Sequence, residues 1–269
     1  MTAPRPQTGY AFLDAPAPGD RLAFAHRGGA RHPDLAGLEN TEKAFAHAVA
    51  LGYDYLETDV HVTRDGVLLA FHDGVLERVS DGTGSLADLS AAEVSAFRIG
   101  GEPIPTLGEL FDAFPEARFN IDLKSDGAVE ALADFVQQRE AHDRVLVGSF
   151  SSRRLLRFRR LTRGRVPISA GPLEVALFRL LPSGRLARLL TGGRVAALQV
   201  PHRAGPISVV TAGLVRRAHW AGAHVHVWTI DDPAEMVELL DRGVDGLITD
   251  RTDVLKRTLV GRGQWRDDR

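Results

Sequence analysis

Short runs of apolar, β-branched and aromatic residues recur along the chain, and stretches with helical spacing separate them. The extended runs cover residues 21–26, 55–60, 118–123, 145–148, 166–170, 196–200, 224–228 and 246–248. One further extended segment, 67–71, falls between the second and the third. Helical periodicity follows at 41–51, 128–139, 152–161, 209–220, 234–242 and 253–259. Strands separated by helix-length segments are the pattern of parallel βαβ units. Eight such units in about 250 residues match the size of a (β/α)8 TIM barrel, an α/β fold. A doubly wound open sheet would show the same local pattern, since periodicity alone does not close a ring. Residues 74–106 interrupt the alternation, being rich in Gly, Ser and Asp with one helical stretch at 89–97. They read as a small insertion after the second βα region.

Composition narrows the possibilities. Of 269 residues, 44% are hydrophobic and 25% charged, which is ordinary for a folded globular chain. The formal net charge of −2 gives no field that would recruit a nucleic-acid partner. With no cysteine, disulfides, thiolate metal sites and a cysteine nucleophile are excluded. No apolar run approaches the length of a transmembrane helix. Residues 1–20 carry four prolines and no uninterrupted apolar core, so they read as a loosely ordered leader, not a signal peptide. A single barrel domain over 21–260 and a C-terminal tail over 261–269 follow, with a cytoplasmic location. Lysine occurs only at Lys43, Lys124 and Lys256, so a lysine in a chemical position carries more information than usual.

In a barrel of this kind, chemistry collects at the C-terminal ends of the strands. Those ends here read His26-Arg27-Gly28-Gly29, Glu57-Thr58-Asp59, Asn120-Ile121-Asp122-Leu123-Lys124, Ser149-Phe150-Ser151, Trp228-Thr229 and Thr249-Asp250, with His72-Asp73 after the extra segment. Side chains at i and i+2 of a strand share a face, so Glu57 points with Asp59 and Asp122 with Lys124. Carboxylates aimed at one rim repel unless a cation sits among them. Three oxygen donors suit Mg²⁺ or Ca²⁺ better than zinc. Pairing with arginines is the plainer account of Glu57 and Asp59 alone, and Asp122 on the next strand tips the balance to a metal. His26 and His72 suit general acid–base work near neutral pH. Arg27 and Lys124 offer a fork and a point charge for phosphate. Gly28-Gly29 would let a phosphate approach the backbone. Trp228 either packs or walls a pocket. His32, His47, His142, His202 and His219 read as merely hydrogen-bonded, His61 and His224 are open, and His226 shares a face with Trp228 toward the barrel interior.

Taken in order, H-R-G at 26–28, E-N-T at 39–41, E-T-D-V at 57–60, T-R-D-G at 63–66, H-D-x-x-L-x-R at 72–78, N-I-D-L-K at 120–124, V-W-T-I at 227–230 and D-G-L-I-T-D at 245–250 resemble the glycerophosphodiester phosphodiesterase family over about residues 21–258. The resemblance implies a (β/α)8 barrel with a small insertion after the second βα region. It implies His26 and His72 as essential histidines and Glu57, Asp59 and Asp122 as ligands of one divalent cation, Mg²⁺ or Ca²⁺. Arg27, Lys124, Phe150 and Trp228 match positions lining the phosphate and substrate pocket. The implied reaction releases glycerol 3-phosphate and an alcohol from a small-molecule glycerophosphodiester, one histidine taking the nucleophile's proton and the other protonating the leaving alcohol. The chain departs from the family pattern at Leu38, where Pro is usual, at Asp122, where Glu is usual, and at Thr252 following Arg251, where Pro is frequent.

The stretch 173–190 fits the pattern less well, being apolar and basic after the arginine-rich 151–165. An external helix pair with a solvated basic face is the plainer expectation. The alternatives are a lid, an oligomer interface, or a weak membrane-surface contact through 151–190, which would suit a lysophospholipase D-like phosphodiesterase. A barrel that binds glycerophosphodiesters without turnover is the remaining alternative, and the intact His26, His72, Glu57 and Asp59 argue against it.

Overall fold

The computed structural model describes residues 5–16 and 19–265. Its strands are β1 Leu22–His26, β2 Tyr55–Val62, β3 Leu68–Ala70, β4 Arg98–Ile99, β5 Glu102–Pro103, β6 Arg118–Leu123, β7 Val145–Gly148, β8 Ala197–Pro201, β9 Arg203–Ala204, β10 Ile207–Ser208, β11 His224–Trp228 and β12 Gly246–Thr249. Helices α1 Ala11–Asp14, α2 Glu42–Ala50, α3 Ala91–Val94, α4 Leu107–Ala113, α5 Ala128–Gln138, α6 Ser152–Leu161, α7 Pro172–Leu180, α8 Gly184–Leu190, α9 Ala212–Trp220, α10 Pro233–Asp241 and α11 Thr252–Gly261 accompany them. Seven strands pair in parallel in the order β7-β6-β2-β1-β12-β11-β8. Residues 166–170 join the two ends, through parallel bridges from Val147 to Ile168 and from Ser169 to Ala197. The result is a nearly closed barrel of seven strands and one bridging segment with helices around it. The expected fifth strand is therefore present in place but not as a full ladder. Pro167 has no N–H to donate, although its carbonyl still accepts from Val147.

Along each barrel strand the inward positions change character from bottom to top. Leu22, Phe24 and His26 follow one another on β1, Tyr55, Glu57 and Asp59 on β2, and Arg118, Asn120 and Asp122 on β6. Apolar members of this set pack as one interior cluster with Phe12, Leu13, Leu146 and Ile248. Phe24 meets Tyr55 at 5.2 Å and His226 at 4.8 Å between ring centroids. The outward-facing strand residues pack against the helices in a separate, larger core.

Two expectations are corrected at the chain ends. Part of the supposed loose leader is packed: Phe12 and Leu13 are fully buried beneath the barrel, and Tyr55 donates its hydroxyl proton to the Phe12 carbonyl at 2.9 Å. Residues 1–4 and 17–18 lie outside the described residues. In the tail, Trp265 lies edge-on to Tyr53 at 5.1 Å and Gln264 is buried, while 266–269 lie outside the described residues.

The extra segment, β3, runs antiparallel to the end of β2 with Val60 opposite Ala70. The hairpin carries the chain back to the rim, where the Phe71 N–H donates to the Asp59 carbonyl at 3.0 Å. His72 is thereby delivered beside Asp59. The inserted residues that follow bury their own small cluster, including Leu76, Leu86, Val94 and Ile104. The helix expected at 89–97 is only one turn, α3, closed by a Ser90–Glu93 capping box. No helix among the described residues is long and apolar enough to cross a membrane.

Asp245 anchors the bottom of β12. It is fully buried and accepts from His219 Nε2 at 2.8 Å and the Val225 N–H at 2.7 Å. Burial alone would raise its pKa, but the His219 bond, the histidine charges and the Val225 bond outweigh that and hold it below the usual carboxylate value. A depressed carboxylate stabilises the fold above its unfolded pKa of about 3.9, and this is lost as pH falls through the lower folded value. Asp245→Asn should cost about 1–3 kcal/mol near neutrality and make the acid limb of stability shallower. Urea denaturation across a pH series measures both, and an unchanged pH dependence would contradict this assignment.

Candidate active site

The polar ends of the inward rows meet in a cavity of about 490 Å³ at the C-terminal end of the strands. His26, Arg27, Glu57, Asp59, His72, Asp122, Lys124, Phe150 and Trp228 all line it. The structure thus brings together every site residue expected from the sequence. Asn120 and Gln199 form its floor, linked by a bond from Gln199 Nε2 to Asn120 Oδ1 at 3.1 Å.

β1 ends in a turn that fixes Arg27 in the left-handed region, at φ 49°. Its backbone N–H reaches the Glu57 carbonyl at 2.9 Å and Oε2 at 3.2 Å. Its guanidinium lies 2.9 Å from Asp59 Oδ2 and 3.2 Å from Glu39 Oε1. The glycines after it serve packing. A Cβ on Gly28 would sit 2.6 Å from that of Ala44, and one on Gly29 2.7 Å from Thr252 Cγ2. Gly28-Gly29 lets α2 and α11 close on the turn, which corrects the reading of a phosphate cradle.

Opposite charges are interleaved at the centre. Asp59 and Asp122 are register partners on neighbouring strands. The Lys124 ammonium stands between them, 2.9 Å from Asp59 and 2.6 Å from Asp122. Burial opposes ionisation of both Asp59 and Lys124. Their mutual attraction, with Arg27 on Asp59 and Asp122 on Lys124, wins: the Asp59 pKa is lowered and that of Lys124 raised. Glu57 is less well compensated, and burial pushes its carboxyl up despite His26 nearby.

Each histidine is held through one ring nitrogen. His26 Nδ1 is 2.8 Å from Asp250 Oδ1, and its Nε2 is 3.8 Å from Glu57 Oε2. Burial would lower the His26 pKa, but Glu57 and then Asp250 outweigh it and raise it. Asp250 is itself positioned by Asp231, whose Oδ1 accepts from the Asp250 N–H at 2.9 Å and from Thr249 Oγ1 at 3.0 Å. His72 Nδ1 bonds Asp73, which pairs with Arg78, and Arg78 reaches Glu39 at 2.6 Å. Thr58 Oγ1 donates to Asn40 Oδ1 at 2.8 Å, and Asn40 Nδ2 donates to Asp59 at 3.3 Å. These supporting residues, Glu39, Asn40, Asp73, Arg78, Asp231 and Asp250, lie in or beside the sequence motifs. Asp73 pairs within its own motif, with His72 and Arg78, whereas Glu39, Asn40, Asp231 and Asp250 hold partners at least a dozen residues away, which only the fold reveals.

The other histidines separate cleanly. His202, His219 and His224 are hydrogen-bonded, and His61 Nε2 meets the His72 carbonyl at 3.1 Å. Burial lowers the His226 pKa to about 3, so this interior ring is neutral. His32 and His47 do not merely hydrogen-bond: with Asp34 they form a possible metal site whose ligand atoms lie within 4.8 Å of one another. Within it, His32 Nδ1 already accepts from the Asp34 N–H at 3.2 Å. Glu57, Asp59 and Asp122 are spread more widely, with Lys124 intervening. They nevertheless fit a hard cation chemically: all donors are carboxylate oxygens, Glu57 is buried with its charge poorly balanced, and Asp122 Oδ1 is buried without a hydrogen-bond partner.

The model of the Glycerophosphoryl diester phosphodiesterase family matches residues 26–254. The chain is 42% identical over 252 residues to a Mycobacterium tuberculosis protein named "Probable glycerophosphodiester phosphodiesterase 2", covering 92% of this chain and 94% of that one. Its fold is similar to that of an Oleispira antarctica phosphodiesterase solved with the product sn-glycerol-3-phosphate, with a TM-score of 0.73, 22% identity and coverage of 89% and 96%. A glycerophosphodiester phosphodiesterase from Agrobacterium tumefaciens is also similar, with a TM-score of 0.70, 23% identity and coverage of 88% and 99%.

Lys124→Met leaves Asp59 and Asp122 facing each other with Arg27 as the remaining cation on Asp59. In metal-free buffer the substitution should cost about 3 kcal/mol, as removal of one partner of a buried ion pair does. An unchanged denaturation midpoint would show that the acids are balanced by other means.

Proposed function

The chain belongs to the glycerophosphoryl diester phosphodiesterase family, and on that premise we propose that it hydrolyses glycerophosphodiesters to glycerol 3-phosphate and an alcohol, with His26 and His72 as the acid–base pair. One observation carries this reading. Two histidines, each held by an aspartate through Nδ1, line the same cavity as three carboxylates, an arginine and a lysine.

The proton transfers divide between the two rings. One imidazole takes the proton of the attacking nucleophile, with one water added at phosphorus over the whole reaction, and the other gives a proton to the departing alcohol oxygen as its P–O bond breaks. Asp250 and Asp73 fix the ring orientations, and Asp250 together with Glu57 favours the charged form of His26. Arg27 and Lys124 bring positive charge to the phosphoryl oxygens. Asn120 and Gln199 offer neutral polar groups to the glycerol hydroxyls. Trp228, edge-on to Phe150 at 5.8 Å, walls the side where the alcohol leaves.

Glu57, Asp59 and Asp122 are the residues that would hold a divalent cation, Mg²⁺ or Ca²⁺. Bound there, it would supply Lewis-acid stabilisation of charge on the phosphoryl oxygens. The Lys124 ammonium lies where that positive charge is needed between Asp59 and Asp122.

Release of glycerol 3-phosphate from glycerophosphocholine, compared in EDTA, Mg²⁺ and Ca²⁺, tests the reaction. Metal-dependent release is expected, and no release with either ion would contradict the proposal. His26→Ala and His72→Ala should each lower kcat by about 10²–10⁴-fold with an unchanged circular dichroism spectrum. Near-normal rates in either variant would remove the two-histidine scheme. Asp250→Asn should lower kcat by about 10–10²-fold with little change in KM, since it acts through His26. A change confined to KM would make Asp250 a substrate contact instead.

A further inference from the structure

Large apolar side chains that face solvent together beside a pocket mark an interaction surface. Three stand at this barrel mouth. Phe150 is 68% exposed, Leu173 67% and Ile207 61%. They come from three different connections at the C-terminal ends of barrel strands. Phe150 follows β7 and lines the cavity itself. Leu173 opens α7 beside Pro172, which also lines it. Ile207 sits on the β9–β10 hairpin, between Pro201 and Val209 of the cavity wall.

The cavity continues the same character inward. On the side away from the acids its wall is Ala170, Val175, Val200 and Val209. Charge at the rim is positive. Arg153, in the first turn of α6, and Arg203, opposite Ser208 in the hairpin, are both exposed. Asp126, an acid within the reach of the Arg153 charge, is already ion-paired with Arg154. Apolar tips flanked by arginines match the boundary between acyl chains and anionic headgroups.

We infer that the barrel mouth docks on an anionic phospholipid membrane, with Phe150, Leu173 and Ile207 entering the interfacial layer and Arg153 and Arg203 against the headgroups. A water-soluble diester needs no such rim. Docking would open the pocket toward the lipid surface and fix where the enzyme works. This differs from a contact through all of 151–190. The apolar residues later in that stretch, Leu180, Leu189 and Leu190, do not line the cavity. They accompany Trp220 at the end of α9, where Gly184 packs against the Arg217 carbonyl and Arg185 lies 4.8 Å over the Trp220 ring.

Co-sedimentation of the full chain with phosphatidylcholine vesicles, with and without phosphatidylglycerol, tests the inference. Phosphatidylglycerol should raise the vesicle partition constant about fivefold for each arginine engaged, and added salt should reverse the gain. The double variant Leu173→Asp with Ile207→Asp should lose this binding while turning over glycerophosphocholine in vesicle-free solution at the wild-type rate. Arg203→Glu should lose the preference for phosphatidylglycerol. No preference in the wild type would overturn the inference, and so would undiminished binding of the double variant, which would move the contact to the flank around Trp220. Absence of glycerophosphocholine turnover in the wild type bears on the proposed reaction and leaves the vesicle result to stand alone.

Discussion

The mouth of this barrel is organised around one electrostatic problem. Glu57, Asp59 and Asp122 project into one confined cavity, with Glu57 and Asp59 buried and Asp122 partly so, and like charges there repel. Arg27 and Lys124 answer it by interleaving positive charge, and much of the surrounding architecture holds those two cations in place. The left-handed turn at Arg27, the closely packed glycines behind it and the Glu39–Arg78 pair all fix the arginine. Register pairing of Asp59 with Asp122 gives Lys124 two partners. Glu57 remains the least balanced acid, and its proximity to His26 couples the charge state of the cluster to that of the histidine.

The barrel separates this polar rim from its support. The inward rows of β1 and β2 start apolar and end in titratable groups, so the apolar lower cluster stabilises the fold while the polar groups gather at the rim. The buried turn at Phe12 and Leu13 closes the bottom and keeps water from the interior cluster of Phe24, Tyr55 and His226. The interior histidine is neutral because burial depresses its pKa to about 3, so it behaves as a polar packing residue and not as part of the proton machinery.

Strand periodicity made the staves and their inward faces legible in the sequence, and the clustering of His26, Glu57, Asp59, His72, Asp122 and Lys124 followed from the rule that barrels work at strand ends. Three things were not legible. Residues 166–170 look like an ordinary strand, but Pro167 removes a ladder donor, so they only bridge. Phe12 and Leu13 sit in a proline-rich leader whose composition says loop, and their burial depends on a cavity that exists only once the ring closes. The partners Asp250, Asp231 and Glu39 lie far in sequence from the residues they hold, and no local pattern encodes those pairs. His32 and His47 lie fifteen positions apart and no spacing pattern links them, so their meeting at Asp34 also needed the fold.

The most direct test of the central claim, that the mouth carboxylates form a cation site, is calorimetric titration of Ca²⁺ and Mg²⁺ into the metal-free chain and its Asp59→Asn variant. The account predicts binding at one site in the wild type, abolished by Asp59→Asn and retained in His47→Ala. Binding that survives Asp59→Asn and disappears in His47→Ala would place the metal at the outer cluster and contradict the account.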